Sequence, residues 1–295
     1  MDMRTVSIIG IGRVGGALAI ALSRAGFVVD KMVHRNDSTA KSVSKLLPGT
    51  VDLVPVSDDS PIESEIILIT TPDPEIAAVA DSLVGRLRDG CSVLHTSGSL
   101  SSESISQLAA AGYSTGSMHP LVSVSDPVSG ADNFRDAYFC IEGDEAAVGS
   151  ARSIVDALEG RAFSIDTANK PLYHASAVMA CGHLVALLDV AIEMLSKCGI
   201  EVTHAKQILL PLVASTINNL KTQTPQDALT GSFARLDSAA VSRHLSAIEG
   251  MSSDIKKAYL LLGERSLDLA AANGGNAGDV GKIRDLISIA KRNTG

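Results

Sequence analysis

Apolar positions follow a different rhythm in the two halves of the chain. As far as about residue 165, short apolar runs alternate with stretches of helical spacing, a pattern typical of buried parallel strands joined by helices. Beyond residue 170, every long segment has helical spacing. The pattern predicts an α/β fold, with a mainly parallel sheet in residues 1–166 and an all-α domain in residues 167–295. Strands are expected at residues 5–9, 27–33, 66–70, 91–95, 113–118, 137–142 and 161–165.

The most apolar segment lies at the start of the second half, in residues 170–199. A membrane span takes about 20 apolar residues, but this run is interrupted by three polar residues. They are His183, Asp189 and Glu193. We therefore expect a single buried helix of a soluble protein and no membrane span.

Two polar residues lie at the N-terminal end of this expected helix. Pro171 suits a first helical position, which puts Lys170 at the cap, beside the positive end of the helix dipole. That is an unfavourable place for a cation, so the helix alone predicts that Lys170 turns out to solvent. His174 follows one turn later on the same face as Lys170.

Charge and cysteine content argue against several classes of protein. The net charge is −8, and the 25 lysines and arginines form no long run, which argues against a nucleic-acid surface. The cysteines show no spacing typical of zinc sites, so no bound metal is expected. They are Cys91, Cys140, Cys181 and Cys198. Because all four lie in apolar segments and no export signal is visible, we expect buried free thiols in a cytoplasmic protein.

A glycine-rich turn follows the first strand. Gly10, Gly12 and Gly15 form a GxGxxG motif between this strand and an alanine-rich helix, with Arg13 and Val14 at the variable positions. Glycines at this spacing permit a tight turn, let the backbone approach a pyrophosphate and let the helix pack on the strand. The motif in this context predicts a dinucleotide-binding site.

The end of the second strand indicates which dinucleotide would bind. An acid at this place usually binds the ribose hydroxyls of NAD, whereas an arginine accommodates the 2′-phosphate of NADP. Arg35 therefore favours NADP. In the alternative, Arg35 is a solvated turn residue, Asp37 binds the ribose and the cofactor is NAD.

Polar clusters follow three later strands. They are Thr71, Pro72 and Asp73; Ser97 and Gly98; and His119, which precedes a proline. Ligands of an open parallel sheet lie at the carboxyl ends of its strands, so these clusters are expected to border one cleft. Thr71, Pro72 and Asp73 are expected to bind the cofactor beside its nicotinamide. An imidazole there could act as acid or base. Each cluster also has a structural interpretation, as a helix cap or a fixed turn.

The helical domain is expected to close this cleft and to form a homodimer. The loop before its third long helix carries Arg235 and Asp237. We expect these two residues to form an ion pair that holds the loop, and the alternative is that Arg235 binds a substrate carboxylate.

Six motifs together resemble a known family. They are GIGRVG at Gly10, TPDPEI at Thr71, LHTSGSL at Leu94, MHPLVS at Met118, KPLYHASAV at Lys170 and LTGSFARLD at Leu229. The family is one of Rossmann-like proteins with a helical C-terminal domain of unknown function, and the resemblance runs almost end to end. It implies a fold similar to the 6-phosphogluconate and β-hydroxyacid dehydrogenase group, which includes pyrroline-carboxylate reductase. Some members look like an alternative class of ketopantoate reductase.

The wider group implies roles for individual residues. β-Hydroxyacid dehydrogenases and ketopantoate reductases use a lysine at the start of the interdomain helix as acid/base, with an asparagine one turn later, and the similar positions here are Lys170 and His174. Prephenate and arogenate dehydrogenases use a histidine in a His-Pro turn, similar to His119, with a serine similar to Ser97. The chain departs from the pattern at His174, and at Gly182, where many relatives carry asparagine.

The resemblance and the motifs together predict an NADP(H)-dependent oxidoreductase that reduces a small 2-oxo or 3-oxo acid, with ketopantoate as the best single candidate. Lys170 is expected to protonate the developing alkoxide, with His174 orienting it. Substrate oxygens are expected to be held by Ser97, Gly98, His119 and Arg235. Two alternatives stay open: reduction of an imine of the pyrroline-carboxylate type, and a dinucleotide-binding sensor without turnover.

Overall fold

The computed structural model describes residues 4–292 of the chain. The chain divides after His183 into two compact units. The helix that begins at Lys170 ends at Ala180 and belongs to the first unit. The domain boundary expected after residue 166 stays a prediction.

Among residues 4–183, eight strands form one sheet. They are β1 (Thr5–Ile9), β2 (Val28–His34), β3 (Asp52–Pro55), β4 (Ile66–Ile69), β5 (Ser92–His95), β6 (Ser114–Pro120), β7 (Tyr138–Gly143) and β8 (Arg161–Phe163). Their order across the sheet is β3-β2-β1-β4-β5-β6-β7-β8. All seven expected strands are present with ends moved by a few residues, and only the short β3 was not predicted. The α/β fold class is therefore confirmed.

Helices follow most of the strands. They are α1 (Arg13–Arg24), α2 (Asp37–Ser44), α3 (Asp73–Leu83), α4 (Ser106–Ala110), α5 (Pro127–Gly130), α6 (Glu145–Ala157) and α7 (Lys170–Ala180), with 3-10 turns at Ser102–Ile105, Ala131–Phe134 and Thr167–Asn169. The core lies on both faces of the sheet, because side chains of a strand alternate between its faces. Along β4, Ile66 and Leu68 pack in one apolar cluster, while Ile67 and Ile69 pack in the other.

Strand pairing brings the candidate residues to one edge. The pairs from β1 to β6 run parallel, so their carboxyl ends coincide, as in the pairing of Ile69 with His95 and of His95 with Ser117. Strand β6 continues two residues beyond its expected end because it pairs antiparallel with β7, where His119 faces Cys140. His119 is thus fixed in a strand and does not lie in a free turn.

The second unit is helical. Its helices are α8 (Gly182–Ser196), α9 (Val202–Leu220), α10 (Pro225–Ala228), α11 (Gly231–Ala234), α12 (Ser238–Ala247), α13 (Ser253–Ala272) and α14 (Ala277–Arg292). Its buried cluster is formed by Val241, Leu260, Leu267, Val280, Ile283 and Ile287. All of these residues belong to α12, α13 and α14, so this trio of helices is the core of the unit.

The prediction of one buried helix over residues 170–199 is wrong. Helix α7 ends at Ala180, the next residue, Cys181, is irregular, and α8 begins at Gly182. No described residue of α8 is buried. By length and composition the helical segment 167–196 could cross a membrane, and none of its most apolar window is buried in the chain. The described apolar residues of α8 are half-buried or exposed.

Burial of the cysteines was predicted correctly for only half of them. Cys91, directly before β5, and Cys140, in β7, are buried, whereas Cys181 and Cys198 are exposed. The exposed pair flanks α8, in which no described residue is buried, and this explains why their apolar sequence surroundings did not lead to burial.

Candidate functional site

The turn between β1 and α1 has the backbone that its glycines require. Gly10 has a φ of +101°, which side chains other than glycine rarely adopt. A Cβ atom at Gly15 would collide with the carbonyl oxygen of Gly10 and the hydroxyl of Thr70. That hydroxyl donates a hydrogen bond of 2.6 Å to the same carbonyl oxygen, so the turn is held against β4. A Cβ at Gly12 would meet nothing within 4 Å, so that side of the turn is open.

The N-terminus of α1 has no side chain to satisfy its amide groups. Gly12 is the cap residue and supplies no side-chain hydrogen bond. The first amides of a helix have no partner within the helix and carry the positive end of its dipole, which makes them a binding place for anions. Arg13 is exposed and Val14 half-buried beside this open end.

A cleft runs over this turn between the ends of β2 and β4. Its walls include the glycine turn, His34, Arg35, Thr71 and Pro72. Two polar atoms of these walls, Nδ1 of His34 and the hydroxyl of Thr71, are buried without a hydrogen-bond partner. Buried polar groups are almost always paired, so these two atoms are suited to hydrogen bonds with a ligand that enters the cleft. Arg35, Thr71 and Pro72, three of the residues predicted to bind the cofactor, therefore line one cleft.

The loop after β5 is tied to the loop after β4. The Ser99 hydroxyl donates a hydrogen bond of 2.6 Å to the carboxylate of Asp73. The hydroxyl of Ser97 is largely buried and accepts hydrogen bonds from the amides of Ser99 and Leu100, at 3.2 and 3.1 Å. Ser97 thus has a structural function as the cap of this loop, and its contact with a substrate stays a prediction.

Gly98 lies directly beneath two imidazole rings. A Cβ atom at this position would lie 2.8 Å from Nε2 of His119 and against Nδ1 of His174. The two rings meet edge to face, with centroids 5.4 Å apart. Nδ1 of His174 is buried without a hydrogen-bond partner. Three predicted site residues, Gly98, His119 and His174, are therefore in contact at the carboxyl edge of the sheet.

Tyr173 completes this group, and the sequence did not single it out. Its hydroxyl lies 2.7 Å from Nδ1 of His119. Its ring also packs edge to face on Phe163 and on His119. Tyr173 lies next to His174 in the first turns of α7, so the start of this helix brings both side chains to His119. The signal in the sequence is an aromatic residue inside the motif KPLYHASAV.

Burial sets the charge of these side chains. Burial, together with the neighbouring His174 and Lys170, lowers the pKa of His119 to about 4. The imidazole of His119 is therefore neutral at pH 7. Burial raises the pKa of Tyr173 well above its ordinary value, so the phenol keeps its proton. If the Tyr173 hydroxyl donates to Nδ1, the ring of His119 carries its own proton on Nε2.

Lys170 is fully buried, opposite to what its helix alone predicts. Its ammonium group donates hydrogen bonds to the Ser117 hydroxyl, at 2.5 Å, and to the Glu142 carboxylate, at 3.3 Å. Glu142 also accepts from the backbone and hydroxyl of Ser102, at 2.9 and 2.8 Å. Burial lowers the pKa of Lys170, and Glu142 opposes that shift. The lysine fixes the start of α7 to β6 and β7.

Sequence reasoning missed Glu142 and His95. Glu142 closes the apolar run of β7, and a carboxylate in such a run requires a cation or several hydrogen bonds. His95 is buried at the end of β5, where its Nε2 lies 3.0 Å from the carbonyl of Ser101 and its Nδ1 accepts from the amide of Ser97. Burial lowers the pKa of His95 to about 4. Both residues support the loop that carries Ser97 and Gly98.

Arg235 lies in the second unit, between α11 and α12. The predicted ion pair with Asp237 is wrong: among residues 4–292, no salt bridge involves Arg235. Asp237 instead caps α12, where its carboxylate accepts from the amide of Ala240 at 2.9 Å. An aspartate at a helix N-terminus satisfies an otherwise unpaired amide. Among the same described residues, no cluster of His, Cys, Asp or Glu could hold a metal ion.

Comparisons with solved structures identify the same overall fold. A proposed NADP oxidoreductase from Bacteroides fragilis is 21% identical, with a TM-score of 0.72 over 90% of this chain and 98% of that one. Protein TM1727 of Thermotoga maritima is 22% identical, with a TM-score of 0.70 over 91% and 99%. Pyrroline carboxylate reductase of Plasmodium falciparum, solved with NADP bound, is 12% identical, with a TM-score of 0.59 over 96% and 98%. At these identities the likeness concerns the fold alone.

Family models match both parts of the chain, whereas no curated protein sequence matches it. A Rossmann-like domain model matches residues 2–120, and the model of a domain of unknown function, DUF2520, matches residues 137–266. The predicted resemblance to Rossmann-like proteins with a helical C-terminal domain of unknown function is therefore confirmed. The two models match separate parts of the chain, the Rossmann-like model in its first half and the DUF2520 model farther along.

Proposed function

We propose that the protein is an NADP(H)-dependent oxidoreductase that reduces a small 2-oxo or 3-oxo acid, and that ketopantoate is the first substrate to test. The observation that carries this proposal is the contact of Gly98, His119 and His174 at the same sheet edge as the glycine turn. A hydrogen-bond donor and a dinucleotide cleft at one sheet edge are what a nicotinamide-dependent reductase needs.

The residues of the cleft fit NADP. The open side of Gly12 and the uncapped start of α1 suit a pyrophosphate. The unpaired hydroxyl of Thr71 and Nδ1 of His34 suit the polar groups of a ribose or a base. Arg35 is the guanidinium for a 2′-phosphate, which makes NADP the proposed cofactor and NAD the alternative. Solved relatives of this fold include proteins named for NADP or NADPH.

NADPH, when bound, supplies the hydride. His119 then donates a hydrogen bond from Nε2 to the carbonyl oxygen, where negative charge develops, and water supplies the proton that converts the alkoxide into the alcohol. The ring acts in its neutral form, since burial lowers its pKa to about 4. The Tyr173 hydroxyl, 2.7 Å from Nδ1, keeps the proton of the ring on Nε2 and orients it. Asp73 also acts on the pKa of His119, which it raises, so the loop after β4 lies within electrostatic reach of the imidazole.

Lys170 has a positioning role in this mechanism, in place of the proton-donor role expected from resemblance. The support is its complete burial and its two partners, Ser117 and Glu142. A proton donor must reach the reacting group, whereas this ammonium group is directed into the protein. Its anchoring of α7 determines where Tyr173 and His174 lie.

Imine reduction is the second candidate, and the neutral state of His119 favours it. A protonated imine already carries the proton that a ketone must acquire, so its reduction requires no acid. A site whose histidine has a pKa of about 4 holds little imidazolium at pH 7. Two solved pyrroline carboxylate reductases with TM-scores of 0.59 and 0.60 share the fold.

We also propose that the exposed helices of the second unit form a homodimer. Between them, α8 and α9 bury a single described residue, Ala205. Large apolar side chains are exposed along both, such as Val185 at 68% and Leu212 at 63%. A large exposed apolar surface marks an interaction site. We propose a soluble cytoplasmic dimer instead of a membrane protein, because His183, Asp189 and Glu193 interrupt the apolar segment.

One panel separates the candidate functions. The purified protein is mixed with NADPH or NADH and with ketopantoate, other 2-oxo and 3-oxo acids, and cyclic imines, and the nicotinamide absorbance is followed. Consumption of NADPH with an oxo acid supports the proposal, and consumption with imines alone supports the second candidate. Binding of NADPH without consumption across the whole panel identifies a nucleotide sensor and contradicts both enzymatic proposals.

A further inference from the structure

The guanidinium of Arg35 is already occupied by an acid. Its NH1 group donates a hydrogen bond of 2.8 Å to one carboxylate oxygen of Glu75, and its NH2 group contacts the other. This contact is bidentate, the geometry with which arginine also recognises a phosphate. Glu75 lies in the first turn of α3, on the opposite side of the cleft from β2.

The two residues dominate the charge of the cleft. Among the described residues that line it, Arg35 is the only permanent cation and Glu75 the only acid. Paired with each other, they leave the cleft with no net charge. A 2′-phosphate carries more negative charge than a carboxylate, and it can make this bidentate contact with Arg35 only after Glu75 has released it.

We propose that Glu75 is a specificity-determining residue, which competes with the 2′-phosphate for Arg35 and so limits the preference for NADP(H) over NAD(H). This inference rests on the proposed binding of NADP(H). Arg35 is 63% exposed, so its side chain is free to turn from Glu75 towards a ligand. Glu75 is only 29% exposed, so its carboxylate stays beside the bound phosphate and repels it. Both effects weaken the binding of NADP(H), which carries the 2′-phosphate, and leave the binding of NAD(H) nearly unchanged.

The test compares Glu75→Gln with the unaltered protein. Dissociation constants are measured by fluorescence titration for NADPH and NADH, and by calorimetry for adenosine 2′,5′-bisphosphate and AMP. We expect about tenfold tighter binding of NADPH and of the bisphosphate, in the range that one charge contact contributes, with less than twofold change for NADH and AMP. Asp81→Asn, on the exposed side of the same helix, is the matched control for a changed net charge.

A second variant tests whether Glu75 acts through Arg35. In an Arg35→Met background, the gain from Glu75→Gln is expected to fall from about tenfold to less than about threefold, because only direct repulsion remains. Suppose that the nucleotides bind, but that Glu75→Gln leaves the affinity for NADPH unchanged or weaker, or tightens NADH binding as much as NADPH binding. The proposed role of Glu75 is then wrong, and the proposed cofactor is not affected. If neither protein binds any of the four nucleotides, the proposed cofactor itself is wrong.

Discussion

The ammonium nitrogen of Lys170 lies 3.3 Å from a carboxylate oxygen of Glu142, and both side chains are shielded from solvent. The pair joins the start of α7 to β7, 28 residues earlier in the chain. Breaking a buried ion pair from one side leaves an uncompensated charge, which typically costs about 3–5 kcal/mol.

Lys170→Met is therefore expected to lower the free energy of unfolding by about 3–5 kcal/mol. Urea denaturation measures it. The double variant Lys170→Met, Glu142→Gln is expected to regain a substantial part of this loss, because no charge is then buried without a partner. If Lys170→Met were as stable as the unaltered protein, the anchoring role of the lysine would be wrong.

Tyr173→Phe is expected to let His119 adopt both of its neutral tautomers. The hydroxyl that lies 2.7 Å from Nδ1 is removed, while the ring that packs on Phe163 is kept. We expect kcat to fall about tenfold, at the low end of what a positioned acid or base contributes, with the dissociation constant of NADPH unchanged.

The nitrogen chemical shifts of the imidazole provide a readout that packing alone would not change. We expect the Nε2-protonated form in the unaltered protein and a mixture of tautomers in Tyr173→Phe. Tyr138→Phe, at a half-exposed position near the end of the sheet, is the control. An unchanged tautomer in Tyr173→Phe would remove the positioning role of Tyr173.

His95 makes the stability of the protein depend on pH. Its pKa is about 4 in the folded state because of burial, against about 6.5 in an unfolded chain. The unfolded state therefore takes up the proton first as pH falls. Stability is fully present above about pH 6.5 and declines by about 1.4 kcal/mol per pH unit down to the folded pKa.

His95→Asn removes this titration while its amide can still accept from Ser97. Between pH 7 and pH 5, urea denaturation is expected to show a decline in stability about 2 kcal/mol smaller for the variant than for the unaltered protein. Parallel declines in the two proteins would show that His95 is not the group that titrates.

From the exposed apolar side chains of α8 and α9 we expect the protein to be a dimer. Leu212→Glu and Val185→Glu place charges on their exposed apolar surface, where the side chains are 63% and 68% exposed. Light scattering after gel filtration is expected to give a dimer for the unaltered protein and monomers for the variants. Leu46→Glu, half-exposed in the first unit, is the control and should remain dimeric. If the unaltered protein is monomeric, or is soluble only in detergent, the proposed dimer is wrong.

The local elements of the fold could be predicted because each depends on residues close in sequence. The apolar run of β4 fills both faces of the sheet, and the glycine turn has the backbone that its motif requires. The burial of Lys170 could not be predicted from its helix, because it depends on Glu142 in another element. Exposure of α8 was missed for a related reason: an apolar pattern indicates that a surface needs a partner and does not say which one supplies it.

The site was predicted in part. Gly98, His119 and His174 were each singled out by the position or resemblance of their motifs, and the structure brings them into contact. Tyr173 was missed because its importance lies in one hydrogen bond to a residue 54 positions away. The pairing of Arg35 with Glu75 was missed because it joins the turn after β2 to the first turn of α3, and these segments are far apart in sequence.

The central claim is that His119 serves a reductase site, and one measurement tests it most directly. Initial rates of NADPH oxidation are followed with the panel of oxo acids and cyclic imines for the unaltered protein and for His119→Asn, alongside the dissociation constant of NADPH. We predict turnover of at least one oxo acid, and a loss of about a hundredfold in kcat for the variant with unchanged NADPH affinity. Absence of turnover with every compound, or equal turnover by the two proteins, would contradict the claim.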